Sequence, residues 1–258
     1  MVREQLIKNG IRAEKDFHWR GTEVTRLEGF SDAVFAFALT LLVVSLEVPK
    51  TFTQLLETMR GFAPFAVSFI LLIQVWFWHY QYFRRYGLHD TLITWLNSVL
   101  LFVVLFYVYP LKFLMTLFID SLLGISTVVR LPDGTTQDAI TSAQLPALLI
   151  IYGLGFLAVN LLFTVFYWHA YQQRGALQLT AGETFDTVTS MWGFMVNGGV
   201  GVCSILLAAL GGENLSALAG PAYFLLLPAL TIFHTIRGRG RRHLEAGSRP
   251  PAVTNHAD

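Results

Sequence analysis

Asp32 is an ionisable residue inside an otherwise apolar stretch near the start of the chain. A carboxylate within a membrane-spanning helix costs roughly 3 kcal/mol on insertion scales, so it is a candidate for function or for a specific internal pairing. One interpretation is a helix start, with Ser31 and Asp32 near water and the positive end of the helix dipole. The apolar run that follows spans a membrane only if Asp32 lies inside it or at its boundary, which favours a buried carboxylate with partners.

Three polar side chains further along the chain could supply those partners. Trp76 and His79 share one face of a helix, and Asn97 lies in the next apolar stretch. An indole and an imidazole can each donate a hydrogen bond to a carboxylate, and an amide can tie a third helix to the same cluster. His79 also fits an interfacial aromatic belt, and the residues alone leave both interpretations open.

Other chemistries find no matching pattern in the sequence. There is no His-x-x-x-His, His-Glu-x-x-His or Gly-x-Ser-x-Gly pattern. The single Cys203 excludes an internal disulfide and a cysteine-based zinc cluster. A Thr-Val-Gly-Tyr-Gly segment, which would supply a filter of backbone carbonyls, is also missing from the sequence. We therefore expect no enzyme, no metal centre and no cofactor.

The composition is that of a membrane protein. Of the 258 residues, 54% are hydrophobic and 14% are charged, which does not describe a water-soluble surface. The net charge of +1 provides no global basic field that would gather nucleic acid. The polar residues above must therefore be positioned by helices within a bilayer.

Six stretches are apolar over the length that a bilayer requires, about 20 residues per helix. They are Leu27 to Val48, Phe62 to Phe83, Leu92 to Phe118, Leu145 to Ala170, Val188 to Leu210 and Ala217 to Ile236. The longest connection, Asp120 to Gln144, contains a strong turn signal at 131–134 and is expected to be an exposed loop or hairpin. The sequence predicts an all-α membrane protein with six transmembrane helices.

The distribution of Lys and Arg predicts the orientation of these helices. Both terminal segments and the breaks after the second and fourth stretches are rich in these residues, whereas the opposite loops contain few. Because such loops stay cytoplasmic, we expect a multi-pass protein of the cell membrane with both termini in the cytoplasm. The predicted division is a cytoplasmic segment at 1–25, a six-helix domain at 26–237 and a basic, disordered cytoplasmic tail at 238–258. This tail is a topology anchor or a contact for anionic lipid.

The first stretch has two different faces when it is drawn as a helix with about 100° per residue. One face is an apolar stripe with a single hydroxyl, formed by Ala33, Phe37, Thr40, Leu41 and Val44. Asp32 lies roughly 140° from Phe37. The stripe could line the axis of a symmetric oligomer while Asp32 points into its own subunit. Ordinary helix packing also explains the stripe, and geometry alone favours it.

A longer motif surrounds Asp32. Arg26, Phe30, Ser31 and Asp32 form an Arg-x-x-x-Phe-Ser-Asp pattern at the head of the segment 26–43. This segment resembles the signature of the transmembrane protein 175 family of potassium channels. The segment 96–110 looks like the third helix of that family, and Trp76 and His79 stand where its second helix keeps such residues. The six-span layout extends the resemblance over nearly all of the chain.

The resemblance implies a homotetramer with a K⁺-permeable pore on its fourfold axis, lined by the first helix of each subunit. By position, the narrowest constriction falls on Phe37, where the family usually has Ile or Leu, and Leu41 and Val44 form the next apolar layers. Thr40 is the hydroxyl that could help to replace K⁺ hydration. The residues implied to hold the pore helix within its subunit are Arg26, Phe30, Ser31, Asp32, Trp76, His79 and Asn97.

The implied partners are further copies of the chain, membrane lipids and K⁺, with no cofactor and no nucleic acid. Two other functions remain open on the sequence. One is a secondary or proton-coupled transporter that uses Asp32 and His79 as a relay, which broken helices and clear repeats would support. The other is a non-conducting membrane scaffold.

Overall fold

The computed structural model of the protein describes residues 17–44, 49–125, 128–130, 135–211 and 220–247. Most of these residues are helical. The helices are α1 Arg26–Val44, α2 Phe52–Arg60, α3 Phe62–Tyr86, α4 Thr91–Leu122, α5 Leu145–Gln172, α6 Ala181–Leu210 and α7 Leu226–Gly247. A short 3₁₀ helix, Pro221–Leu225, precedes α7. Two strands, β1 Val128–Arg130 and β2 Thr136–Asp138, form an antiparallel pair between α4 and α5.

Among the residues that the structure describes, four helices, α3 to α6, are long and apolar enough to cross a membrane by length and composition. They coincide with the second to fifth stretches that the sequence predicts, and those four are confirmed in this respect. The first predicted stretch corresponds to α1, and its last residues, 45–48, lie outside the described part of the chain. The sixth begins among residues 212–219, which also lie outside it, and continues into α7.

Local capping sets the ends of α3 and α4. α3 stops at Tyr86 because Gly87 adopts the left-handed conformation, with φ of 60°, and donates its N–H to Phe83 O. The side chain of Asp90 begins α4 by accepting a hydrogen bond from Ile93 N at 2.9 Å. The connection is short, so α3 and α4 run antiparallel as neighbours.

α6 begins earlier than hydropathy predicts. The sequence places the start of this apolar stretch at Val188, whereas the helix starts at Ala181. Thr180 Oγ1 accepts a hydrogen bond from Glu183 N, and the Glu183 carboxylate accepts one from Thr180 N in return. This reciprocal pair is a capping box, which fixes the start of a helix through polar contacts. Such contacts do not appear in the hydropathy of the sequence.

Three smaller elements extend the predicted architecture. α2 is an amphipathic helix of nine residues, too short to span a membrane. The loop after α4, expected to be an exposed loop or hairpin, contains the two-stranded hairpin, and β2 is exposed. α7 continues past the tail boundary expected at 238 because Arg, Leu, Glu and Ala are good helix formers. The tail residues 248–258 lie outside the described part of the chain.

Glycines and aromatic side chains hold the long helices together. A Cβ atom at Gly153 would lie 2.4 Å from the side chain of Ile205 on α6, and one at Gly155 would lie 1.9 Å from the Tyr107 ring on α4. Small residues of this kind let helices approach closely in apolar surroundings. An aromatic cluster joins α3 to α5 and α6, and its members are Trp78, Tyr82, Phe83, Tyr86, Phe163, Phe166, Tyr167 and Phe194.

We expect Gly155→Ala to destabilise the helix bundle. The new methyl group would overlap the ring of Tyr107, which is held in place because its hydroxyl donates to Ile151 O at 2.7 Å. Overpacking of this kind costs about 1–3 kcal/mol, so the unfolding temperature in detergent should fall. Gly182→Ala is the matched control, since a Cβ atom there has no neighbour within 4 Å. Equal unfolding temperatures for the two variants would contradict the close approach of α4 and α5.

Candidate functional site

One face of α1 is buried and the other is open. Ser31, Phe35, Ala38 and Leu42 are buried at helical spacings of three and four residues, and this face packs against α3 and α4. Within the described part of the chain, the open face has no helix against it. Its exposed residues include Gly29, Phe30, Ala33, Ala36, Phe37, Thr40 and Val43.

A chain of three hydrogen bonds runs along the buried face of α1. Ser31 Oγ donates to Leu27 O at 2.8 Å and accepts from Asn97 Nδ2 at 2.8 Å. Asn97 Oδ1 accepts from His79 Nε2, also at 2.8 Å. Because an amide oxygen is only an acceptor, the His79 imidazole carries a proton on Nε2. Ser31, Asn97 and His79 are buried, so the chain joins α1 to α4 and α3 inside the molecule.

Asp32 lies apart from this chain. Its Oδ1 accepts a hydrogen bond from Trp76 Nε1 at 2.8 Å, and the Trp76 ring stacks on Tyr80. Asp32 is exposed on the described chain, so the expectation of a buried carboxylate is corrected. The reason is that a step of one residue turns a helix by about 100°, and it is Ser31, the residue before it, that faces the interior.

The other two residues of the sequence motif, Arg26 and Phe30, are presented at the surface. Phe30 is 61% exposed, and Arg26 is exposed as well. Among the described residues, neither side chain joins the hydrogen bonds around Ser31 or Asp32. Of the predicted network, the structure therefore brings together Ser31, Asn97 and His79 in one group and Asp32 and Trp76 in another.

A buried ion pair between Glu28 and Arg84 holds the start of α1 to the end of α3, and neither hydropathy nor the motif around Asp32 predicts it. The local signal is Thr25-x-x-Glu28. Glu28 N donates to Thr25 Oγ1 and Thr25 N donates to Glu28 Oε1, both at 3.2 Å, which forms a capping box. The second carboxylate oxygen, Oε2, then accepts from Arg84.

The segment before α1 connects three helix ends. The N–H groups of Arg20 and Gly21 donate to Arg84 O at 3.1 Å, and Arg84 Nη1 donates to Gly21 O at 2.8 Å. A Cβ atom at Gly21 would lie 2.4 Å from Phe83 O, so the close approach needs glycine. Arg20 also binds Glu183, at the start of α6, at 2.9 Å. The segment 17–25 therefore ties α1 to α3 and α6.

Lys112 of α4 holds the far end of α1. Its ammonium group donates to Leu42 O at 3.0 Å. The carbonyls in the last turn of a helix lack partners within the helix and carry the negative end of its dipole, so a cation there is stabilising. α1 is therefore fixed near both ends and in its first half, on one and the same face.

Of the residues expected to form the constriction and the ion contact, Phe37 and Thr40 lie on the open face, and Leu41 lies at its edge and packs against the core. Phe37 is 57% exposed, Thr40 is exposed and Leu41 is half-buried. The side chain of Val44 lies outside the described part of the structure. Thr40 Oγ1 donates to Phe37 O at 2.7 Å, so the hydroxyl proton is used within the helix and the oxygen lone pairs are left to accept on the open face.

We expect Glu28→Gln to destabilise the protein more than Asp32→Asn. Glu28→Gln leaves the buried Arg84 guanidinium without its counter-charge, which costs about 3–5 kcal/mol. Asp32→Asn changes an exposed group with one hydrogen bond, for which about 1 kcal/mol is typical. Unfolding of the purified variants by denaturing detergent measures both effects. A larger loss for Asp32→Asn would show that Asp32, not Glu28, is the buried anchor of α1.

Comparison with known proteins gives one family. The family model described as "Endosomal/lysosomal potassium channel TMEM175" matches residues 26–107. A protein of Marivirga tractuosa named "Potassium channel" is 38% identical over 243 residues, which is 93% of this chain and 98% of the relative. A potassium channel of Chamaesiphon minutus is 32% identical over 97 residues, covering 34% of this chain and 48% of that protein.

A solved structure resembles the whole bundle. It is the crystal structure of a variant of the potassium channel MtTMEM175 in complex with a nanobody–MBP fusion protein, with a TM-score of 0.76 and 37% identity. The match covers 88% of this chain and 98% of that chain. On the strength of the near full-length relatives, the chain belongs to the TMEM175 family of potassium channels.

Proposed function

We propose that the protein is a K⁺-permeable channel formed by four copies of the chain in the cell membrane, with six spans in each copy and α1 around the central axis. The observation that carries the proposal is the open face of α1. The buried polar anchors of this helix, from Glu28 to the Leu42 carbonyl, lie on the opposite face. The open face is therefore held in a fixed direction, and the names of the relatives support K⁺ as the ion.

The composition of the open face fits a helix that meets its own copies better than a helix that meets lipid. Besides Phe30, Phe37 and Val43, this face carries Gly29, Ala33, Ala36 and Thr40, which are small, and small residues allow helices to come close around an axis. The exposed residues of α3 and α4 are much bulkier. They include Phe69, Ile70, Phe77, Phe102 and Phe106. We assign those bulky faces to lipid and the open face of α1 to the pore.

Phe37 is the proposed constriction. It is the largest residue of the open face in the middle of α1, and four copies around an axis would form a narrow apolar ring. Such a ring stops ions by leaving them poorly hydrated, without any charge. Leu41 and Val44 supply the next apolar layers. Opening then requires the four Phe37 rings to swing away from the axis.

Thr40 is the proposed ion contact. Its hydroxyl proton is bound to Phe37 O, so the oxygen turns its lone pairs to the open face. A ring of four such oxygens would replace part of the water around K⁺, as carbonyl oxygens do in other channels. Ser31, Asp32, Trp76, His79 and Asn97 act in this proposal by positioning the helix. Arg26 and Phe30, which are exposed near its start, would meet a neighbouring subunit.

The proposed orientation places both termini in the cytoplasm. Arg20, Arg84 and Arg85 meet at the same end of the bundle as the start of α1. The excess of arginine at this end is the feature that keeps a loop cytoplasmic. The ends of α1 and α4, together with α2, then face the outside.

Phe37→Ala should raise basal K⁺ flux into liposomes that contain matched amounts of tetramer. Removing the ring widens the apolar constriction and lets water in, and a barrier lower by about 1.4 kcal/mol would give a roughly tenfold increase. Discrimination between K⁺ and Na⁺ should weaken because a hydrated ion could pass. Phe102→Ala, at an exposed position of α4, is the control and should leave flux unchanged. Unchanged flux in Phe37→Ala would place the gate elsewhere.

Thr40→Val should lower K⁺ flux while the assembly stays intact. The change removes the only hydroxyl oxygen among the described residues of the open face at nearly constant volume, so an ion loses a ligand but gains no space. Flux assays and size-exclusion chromatography on the same preparations measure the two properties. A Thr40→Val protein with full K⁺ flux would show that the hydroxyl does not contact the ion.

A further inference from the structure

α2 carries an apolar face that nothing in the described part of the chain covers. Phe52, Leu55, Leu56 and Met59 recur at helical spacing and fall within about 100° of arc. All four are exposed, from 40% for Leu55 to 73% for Phe52. The described side chains on the other side of the helix are polar, and they are Thr53, Gln54 and Thr58.

Local hydrogen bonds define both ends of α2. The Thr51 side chain accepts from Gln54 N at 3.2 Å, and Lys50 N donates to Gln54 Oε1 at 2.8 Å. At the other end Gly61 donates its N–H to carbonyls of the last turn and is the sole residue between α2 and α3. The helix is thus tethered directly to the first turn of α3.

We infer that α2 lies flat in the outer surface of the bilayer, with its apolar face inserted into the boundary between lipid headgroups and acyl chains. The inference rests on the topology of the proposed function, in which α1 ends and α3 begins at the same membrane surface. A short helix joined to both cannot leave that surface. An amphipathic helix at this position buries its apolar face about 5–10 Å into the boundary region.

Lipid is the occupant that fits because the apolar face of α2 continues into the exposed face of α3. Phe62, the first residue of α3, is exposed, and its ring contacts Phe65, which contacts Phe69. Ile70 is exposed further along the same helix. One apolar surface therefore runs from α2 down the span that we assign to lipid, while the polar side of α2 is left for water.

Spin labels on single cysteines test the inference in the full-length chain. The background is Cys203→Ser, and the protein is reconstituted in phosphatidylcholine vesicles. Labels at Leu56→Cys and Met59→Cys report the apolar face, Thr53→Cys reports the polar face of the same helix, and Ile70→Cys reports the span. The relaxation of each spin label by oxygen, which concentrates in lipid, is compared with its relaxation by a water-soluble nickel chelate. The ratio of the two gives the depth of the label in the bilayer.

The expected result is a depth of about 5–10 Å below the headgroups at positions 56 and 59, with position 53 in water and position 70 deeper in lipid. Nickel relaxation at 56 and 59 equal to that at 53, with position 70 still in lipid, would overturn the inference and leave the topology intact. Slow relaxation by both oxygen and the nickel chelate at positions 56 and 59 would show that neither lipid nor water reaches this face. If the labels are also coupled to each other, and mixing with unlabelled chains removes that coupling, the face binds a second copy of the chain, which would overturn the inference. A label at 70 that is open to water would instead overturn the proposed topology.

Discussion

The rotation of α1 about its own axis is fixed by the hydrogen bonds that link Ser31, Asn97 and His79, and the rest of the proposed channel depends on that rotation. Hydrogen bonds between membrane helices contribute only about 0.6 kcal/mol each on average. Turning α1 by one residue, about 100°, would leave the Asn97 Nδ2 group buried without its Ser31 partner, at roughly 1–3 kcal/mol. The free-energy cost of a wrong rotation is therefore larger than the stabilisation from any one hydrogen bond. These residues thus contribute more by excluding wrong rotations of α1 than by stabilising the correct one.

Two carboxylates at helix starts connect this rotation to the rest of the bundle. Glu28 and Glu183 each close a capping box and each bind an arginine from a distant segment. A single carboxylate then satisfies a backbone N–H group, the positive end of a helix dipole and a guanidinium group. Since Arg20 and Arg84 are linked through backbone hydrogen bonds, the start of α1, the end of α3 and the start of α6 form one joined unit.

Much of this arrangement follows from the sequence, and the exceptions have physical reasons. Hydropathy locates the long helices, and polar residues within them, such as Asn97 and His79, are singled out because they must find partners. The residue of α1 that reaches Asn97 depends on how α1 is rotated, which is why Asp32 is expected inside and Ser31 is found there. The pairing of Glu28 with Arg84 is not predicted from the sequence, because charged residues at the ends of apolar stretches ordinarily lie in water.

The central claim is that the open face of α1 surrounds an axis shared by four chains, and disulfide crosslinking at position 37 tests it most directly. A disulfide requires Cα atoms about 4.4–6.8 Å apart, a distance that only residues next to the axis meet. In a Cys203→Ser background, oxidation of Phe37→Cys in membranes should give covalent dimers, while Ile70→Cys, on the bulky exposed face of α3, should remain monomeric. Dimers from Ile70→Cys and none from Phe37→Cys would contradict the account and place α3, not α1, at the centre.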